Sequence, residues 1–202
     1  MMNLANKLTV LRMILVPIFV VIGYLGTLGV IAGEWIGIPV SFVLMNIIFI
    51  IASITDKLDG YIARSRNQVT TFGKFLDPLA DKILVLTALV MLVEYGKIPA
   101  WIPVIVLARE FLVSGYRLLA VEKGGKVIAA SIWGKLKTVT QMIAIILSLL
   151  DINAFGAFLN TKLMGYNLII NILSTTFMFV SVIATIFSGW SYVKCGKEFF
   201  EN

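Results

Sequence analysis

Residues 38–64 read IPVSFVLMNIIFIIASITDKLDGYIAR, an apolar run followed at once by a polar segment that carries two aspartates. The apolar run, 38–55, approaches the roughly 20 residues that an α-helix needs to cross a bilayer. We expect the polar segment 56–64 to continue the same helix beyond the apolar core. The stretch therefore predicts a membrane helix with a polar extension at one end.

Five more apolar segments of similar character surround this one, at 13–31, 83–95, 101–120, 132–150 and 167–190. Of the 202 residues, 59% are hydrophobic and only 14% are charged, whereas a soluble domain carries about 25% charged residues. The mean hydropathy is +0.97, which excludes an aqueous fold. We predict an all-α integral membrane protein with six transmembrane helices, forming a single domain over residues 1–202.

Two features of the N-terminal region qualify this prediction. Residues 3–12 are mildly amphipathic and predict a short interfacial helix before the first span. Because Lys7 and Arg12 precede an apolar run and small residues follow around Ala32, the first segment could instead be a signal peptide. The length of the run and the further membrane segments that follow favour a span.

The positions of the lysines and arginines predict the orientation. With six spans, the N-terminus, the segment 56–82, the loop 121–131 and the C-terminal tail lie on one side. That side carries eleven cations, which are Lys7, Arg12, Lys57, Arg64, Arg66, Lys74, Lys82, Lys123, Lys126, Lys194 and Lys197. The opposite loops contain Lys97 and Lys162. We therefore expect both termini to be cytoplasmic.

The composition also restricts the chemistry. The chain has no histidine and one cysteine, Cys195, which excludes a Ser-His-Asp triad, imidazole acid–base catalysis and histidine or thiolate metal sites. A bound metal must be held by oxygen atoms, which favours Mg²⁺, Mn²⁺ or Ca²⁺. Proton transfer must be carried out by a carboxylate, a lysine or a tyrosine. The net charge of +6 comes from cations in short loops between apolar runs, so we predict contact with anionic lipid and no nucleic-acid binding.

Four aspartates form the main candidate site. Asp56 and Asp59 are three residues apart, and Asp77 and Asp81 are four apart, so each pair lies on one helical face. The segment 75–82 reads as an extension of the third span, and the short connection makes the two helices antiparallel neighbours. Four converging carboxylates repel one another, and one or two hard divalent cations are the natural way to neutralise them. The alternative is that these aspartates are solvated charges beside the membrane.

Small residues accompany the aspartates. Gly60, Ala63 and Gly73 stand at helical or turn positions that we expect to face the same region. Small side chains let a bulky ligand approach the backbone closely, although they also serve helix packing.

These residues form the pattern D-x2-D-G-x2-A-R-x8-G-x3-D-x3-D, which is matched at every defined position from Asp56 to Asp81. The pattern resembles the signature of the CDP-alcohol phosphotransferases, six-helix membrane enzymes of phospholipid synthesis. The resemblance implies a transfer of a phosphatidyl or similar group from a CDP-linked donor to an alcohol, with release of CMP and with two divalent cations, Mg²⁺ or Mn²⁺.

The resemblance also implies roles for individual residues. Metal ligands would be Asp56, Asp59, Asp77 and Asp81, and Asp81 would also act as the general base. The CDP-linked donor would be bound by Asp59, Gly60, Ala63, Arg64 and Gly73. A homodimer is implied by the resemblance alone.

A second group of cations lies outside the signature. Arg109 is near the middle of the fourth span, where an isolated arginine is costly and usually functional, and Arg117 follows two turns later on the same face. Lys135 and Lys137 begin the fifth span. We predict that Arg109, Arg117 and Lys135 bind the phosphate of the acceptor. Alternatively, Arg109 pairs with Glu110, and the two lysines are anchors that extend to the headgroups.

The rest of the chain resembles the bacterial family members whose acceptor is sn-glycerol 3-phosphate and whose donor is CDP-diacylglycerol. The residues that carry this likeness are Asn6, Thr9, Arg12, Arg109-Glu110, Ser114-Gly115, Arg117, Ala129-Ala130-Ser131, Gly134-Lys135, Lys137-Thr138 and Gln141. Other acceptors stay open, namely inositol phosphate, serine or phosphatidylglycerol. A cation- or proton-coupled transporter is a remote alternative, because coupling sites usually lie at the midplane between repeated halves.

Overall fold

The computed structural model describes the backbone of residues 4–65, 71–122 and 132–200, and the side chains of residues 7–55, 79–80, 82–117 and 132–193. Six long helices dominate it. They are α1 (Leu4–Thr27), α2 (Val40–Ser65), α3 (Thr71–Glu94), α4 (Trp101–Glu122), α5 (Ile132–Leu150) and α7 (Tyr166–Phe200). A one-turn helix, α6 (Ala157–Asn160), precedes α7, and two short antiparallel strands, β1 (Glu34–Trp35) and β2 (Ile38–Pro39), form a hairpin before α2.

The helices confirm the helical membrane class. Within the described residues, three segments are long and apolar enough to cross a membrane, Lys7–Thr27, Ile132–Leu150 and Tyr166–Val193, and Val40–Thr55 is a shorter apolar helix. The polar extensions are confirmed too, because α2 continues to Ser65 and α3 begins at Thr71.

The N-terminus differs from the prediction in one respect. Residues from Leu4 onward form one continuous helix with the first apolar segment, without a separate interfacial piece, and Pro17 lies inside it. Arg12, which the sequence places just before the span, is fully buried at 0% exposure. The sequence between residues 4 and 13 contains no glycine or proline to interrupt the helix.

The core lies between the helices, and its apolar residues form one cluster. Phe19 of α1, Phe49 of α2, Leu92 of α3, Ile145 of α5 and Met178 of α7 are all fully buried in one cluster. The apolar side chains on the outer faces are exposed, as expected for helices that meet lipid.

Glycines allow α1 to pack closely against its neighbours. A Cβ atom added at Gly26 would overlap the side chain of Ser41, and one added at Gly23 would overlap Tyr95 and lie 2.8 Å from Met91. The two glycines therefore let side chains of α2 and of the end of α3 pack directly against the backbone of α1.

Four buried polar residues, Lys97, Asp151, Asn171 and Ser174, connect the α3–α4 loop, the end of α5 and the first turns of α7 at one end of the bundle; we call them the distal network. Lys97 Nζ donates to the carbonyl oxygens of Ser148, Leu149 and Asp151 at the end of α5. Asp151 Oδ2 accepts from Asn171 Nδ2 and Ser174 Oγ, both at 2.7 Å. The sequence places Lys97 in a loop, and the structure confirms the loop but buries the lysine to 5% exposure, because the carbonyls that end α5 offer it acceptors.

Candidate active site

A cavity of about 1120 Å³ opens at the other end of the bundle, between α3, α4, α5 and α7. Its walls come from the middle of α3, the middle of α4, the first half of α5 and Tyr192 near the end of α7. Leucine, isoleucine, valine, methionine and phenylalanine side chains form much of the lining. A cavity of this size, apolar with a few polar groups, is typical of a small-molecule site.

The polar part of the lining is strongly basic. Five cations contribute to it, which are Lys82, Arg109, Arg117, Lys135 and Lys137, and Glu110 is the one carboxylate among the described lining residues. We call this space the basic cavity. An excess of positive charge inside a membrane protein requires an anionic ligand or a counter-ion, so the cavity is suited to a phosphate group.

Glu110 is the centre of the charge arrangement. Its Oε1 accepts from Arg109 Nη1 at 2.7 Å and from Lys137 Nζ at 2.6 Å. Its Oε2 lies 3.8 Å from Lys82 Nζ, which also donates to Ser114 Oγ. One carboxylate thus connects cations from three helices.

The two arginines are also held against α7. Arg109 Nη2 donates to Ser188 Oγ at 2.8 Å, and Arg117 Nη2 donates to the Tyr192 hydroxyl at 3.2 Å. The pairing of Arg109 with Glu110, which the sequence leaves open as an alternative, is present. It does not exclude a contact between Arg109 and a ligand, because a guanidinium has five N–H donors.

Lys135 differs from the other cations of the basic cavity. It is exposed, and its side chain has no ion-pair or hydrogen-bond partner among the described residues. Lys137, two residues further along α5, has a side chain only 8% exposed and is bonded to Glu110. Lys135 is therefore the cation with the most freedom to meet a ligand.

The signature residues lie in α2 and α3, and α3 also contributes to the cavity wall. The segment from Asp56 to Arg64 belongs to the last turns of α2, and Gly73, Asp77 and Asp81 belong to α3. The side chains of all eight signature residues lie outside the described part of the structure, so their convergence stays a prediction. The described lining begins beside them, because Leu79 and Lys82 flank Asp81.

The absence of a described metal cluster does not bear on these aspartates. No group of three or more Asp, Glu or Cys side chains that could hold a metal occurs among the side chains described, and the four aspartates are not among them. The donor set that the signature offers is made of carboxylate oxygens, which suit Mg²⁺ or Mn²⁺.

Several residues of the cavity were not singled out from the sequence. Lys82 could have been noticed because it directly follows Asp81. Tyr192 and Ser188 gave no signal, since nothing in the sequence of α7 indicates that they face α4. Glu110 was identified only as a partner of Arg109, whereas it also holds Lys137.

The chain belongs to the CDP-alcohol phosphatidyltransferase family, whose pattern it matches over residues 2–188. It is 43% identical to the CDP-diacylglycerol–glycerol-3-phosphate 3-phosphatidyltransferase of Bacillus subtilis, with 98% of this chain and 97% of the relative covered. It is 36% identical to the protein of the same name from Rickettsia bellii, over 98% and 97% of the two chains. A probable phosphatidylglycerophosphate synthase of Mycobacterium tuberculosis is 41% identical over 75% of this chain and 68% of its own length.

Proposed function

We propose that this protein transfers the phosphatidyl group of CDP-diacylglycerol to sn-glycerol 3-phosphate, giving phosphatidylglycerol phosphate and CMP. The observation that carries the proposal is the basic cavity, whose described lining begins at the residues flanking Asp81. A phosphorylated acceptor needs such a concentration of cations close to the donor site, and the names of the full-length relatives agree with this substrate pair.

The donor site is assigned to the signature. Asp56, Asp59, Asp77 and Asp81 would hold two divalent cations, and a carboxylate-only donor set fits Mg²⁺ or Mn²⁺. When bound, these ions supply charge stabilisation on the pyrophosphate of the donor.

The remaining donor contacts come from small residues and a cation. Gly60, Ala63 and Gly73 leave room for the cytidine nucleotide, and Asp59 and Arg64 help to hold it.

The transfer itself is a displacement at phosphorus. Asp81 takes the proton from the attacking hydroxyl of the acceptor, whose oxygen bonds to the phosphorus that carries diacylglycerol. The bond from that phosphorus to the oxygen shared with the cytidine monophosphate breaks, and CMP leaves. Because the chain contains no histidine, a carboxylate is the simplest base.

The acceptor phosphate is assigned to Arg109, Arg117 and Lys135. Arg117 and Lys135 are exposed at the cavity, so their charged ends reach a water-soluble ligand.

The topology that fits this assignment has six membrane spans, with both termini and the active site facing the cytoplasm. Two observations support this topology. The structure contains six helices of 19 to 35 residues, and a six-span arrangement places most of the loop cations on one side of the membrane. The protein would be a single domain over residues 1–202 in the cell membrane, and a homodimer as the family resemblance implies.

The test is CMP release by purified protein with CDP-diacylglycerol and Mg²⁺. Release should require glycerol 3-phosphate, and should be absent with inositol 1-phosphate, serine or no acceptor. EDTA should abolish it, and Mg²⁺ or Mn²⁺ should restore it.

An Asp81→Asn variant should lose activity by about 100-fold or more, which is the range for loss of a general base. Glu34→Gln, which removes an exposed carboxylate in the β hairpin, is the matched control and should behave as wild type. Release only with inositol phosphate would keep the reaction type and replace the acceptor. No release with any alcohol, from folded protein, would contradict the transferase and favour the transporter.

A further inference from the structure

We propose that Glu110 is a positioning residue for the acceptor phosphate: it does not touch the substrate, but fixes the cations of the basic cavity in the arrangement that binds it. This inference rests on the proposed function and deepens it. The reason to look for such a role is chemical, since a carboxylate on the wall of an anion-binding cavity repels the ligand.

The contacts of Glu110 give the role its geometry. Its Oε1 accepts from both Arg109 and Lys137, and its Oε2 lies 3.8 Å from Lys82 Nζ. These cations come from α4, α5 and α3, so the carboxylate is the point at which three walls of the cavity meet. The side chain of Glu110 is only 20% exposed, which strengthens each ion pair relative to one in bulk water.

Each of two cations is also fixed at a second point. Arg109 is bonded to Ser188 of α7, and Lys82 donates to Ser114 of α4. A long side chain held at two points loses its rotational freedom before the ligand arrives. Without Glu110, Arg109 and Lys82 would keep their serine contacts but could turn away, and Lys137 would lose its bond to Glu110.

The positioning role and a simple charge role predict opposite results. If the charge of Glu110 were all that mattered, its removal would strengthen the binding of a phosphate, because a repulsive charge is gone. If Glu110 positions the cations, its removal weakens phosphate binding even though the cavity has become more positive. The sign of the change therefore distinguishes the two.

The experiment compares wild type with Glu110→Gln, Glu110→Asp and Glu94→Gln. Glu94 is exposed at the far end of α3, so Glu94→Gln neutralises the same charge away from the cavity and should match wild type. For each protein we would measure KM for glycerol 3-phosphate, KM for CDP-diacylglycerol and the thermal midpoint. Calorimetric binding of glycerol 3-phosphate without the donor is measured as well.

We expect Glu110→Gln to raise KM and the dissociation constant for glycerol 3-phosphate by roughly tenfold or more, as when a charge-assisted contact is lost. KM for CDP-diacylglycerol should stay within about twofold, a change of under half a kcal/mol in binding. Glu110→Asp keeps the charge on a shorter side chain and should give an intermediate value. If Glu110→Gln does not fold, the aspartate variant still provides the test.

Three outcomes would overturn the proposal. An unchanged or lowered KM for glycerol 3-phosphate in Glu110→Gln would leave only a charge effect. An equal rise in both KM values together with a lower thermal midpoint would indicate a structural role. A dissociation constant for glycerol 3-phosphate that is the same in Glu110→Gln, Glu110→Asp and wild type would show that Glu110 has no part in binding the acceptor.

Failure of the proposed reaction gives a different pattern. In that case wild type releases no CMP with glycerol 3-phosphate, while the calorimetric comparison still decides whether Glu110 positions the phosphate-binding cations.

Discussion

Lys135 is the residue whose individual contribution is easiest to isolate. It is exposed at the basic cavity and has no partner among the described side chains, so its replacement disturbs no described ion pair. We expect Lys135→Gln to raise KM for glycerol 3-phosphate by roughly ten- to hundred-fold, corresponding to a charged hydrogen bond of about 1.5–3 kcal/mol.

The measurement is steady-state CMP release with the acceptor varied, and the control is Lys162→Gln, an exposed lysine in the loop before α7. An unchanged KM in Lys135→Gln, with wild-type stability, would show that this lysine is a membrane anchor, as the sequence also allows.

Burial of Lys97 predicts how the stability of the protein depends on pH. Burial lowers the pKa of Lys97 to about 7 from an ordinary 10.5, and the carboxylate of Asp151 opposes the change only in part. Between pH 7 and pH 10.5, Lys97 is protonated in the unfolded chain but largely neutral in the folded chain. The free energy of unfolding therefore rises with pH across this window.

Thermal unfolding in detergent from pH 7 to pH 10.5 checks this expectation. The thermal midpoint should rise with pH in the wild type, and the part of this rise that is due to Lys97 should be absent in Lys97→Met. The exposed lysine variant Lys162→Met should keep the wild-type slope. A slope that survives in Lys97→Met would assign it to another group.

At the scale of the element, the close approach of α1 to α2 can be tested directly. A methyl group at Gly26 would collide with Ser41, and its contact is with atoms next to the backbone of Ser41, which cannot easily move. We expect Gly26→Ala to lower the free energy of unfolding by about 1–3 kcal/mol through overpacking.

Gly115 is the matched control, because a Cβ atom added there meets nothing within 4 Å. Gly115→Ala in α4 should leave the free energy of unfolding unchanged or raise it by about 0.5–1 kcal/mol, since alanine favours the helix. Denaturation of both variants measures the difference. Equal effects at the two glycines would mean that the packing of α1 against α2 is looser than the structure indicates.

The sequence predicted the elements well and their contacts poorly, for a physical reason. Apolar runs and the spacing of aspartates are local properties, so the helices, the polar extensions of α2 and α3 and the signature could be identified. The pairing of Lys137 with Glu110 joins residues 27 apart, and that of Arg117 with Tyr192 joins residues 75 apart. Such pairs depend on how the helices pack, which no local pattern contains.

The buried lysine shows the same limit at the other end of the bundle. The composition of the loop at Lys97 is that of an ordinary surface connection. The burial of Lys97 depends on the tertiary fold, which places the carbonyl acceptors at the end of α5 beside its ammonium group.

For the whole molecule, the predicted orientation gives a labelling experiment. In a Cys195→Ser background, a cysteine replacing Lys162 should react with an impermeant maleimide in intact spheroplasts. A cysteine replacing Lys7 should react only after permeabilisation. Both positions are exposed, so a difference in labelling reports the side of the membrane. Labelling of both from outside, or the reverse pattern, would contradict the six-span topology with cytoplasmic termini.

The distal network has a consequence for the evolution of chains built in this way. It joins the loops at Lys97 and Asp151 to the start of α7 at Asn171 by hydrogen bonds that make no use of the basic cavity at the opposite end of the bundle. Because substitutions far apart without shared partners have nearly additive effects on stability, the cavity lining can change without weakening that end. Selection for a new acceptor alcohol can thus act on a few positions in α4 and α5, while the distal network continues to stabilise the other end of the bundle.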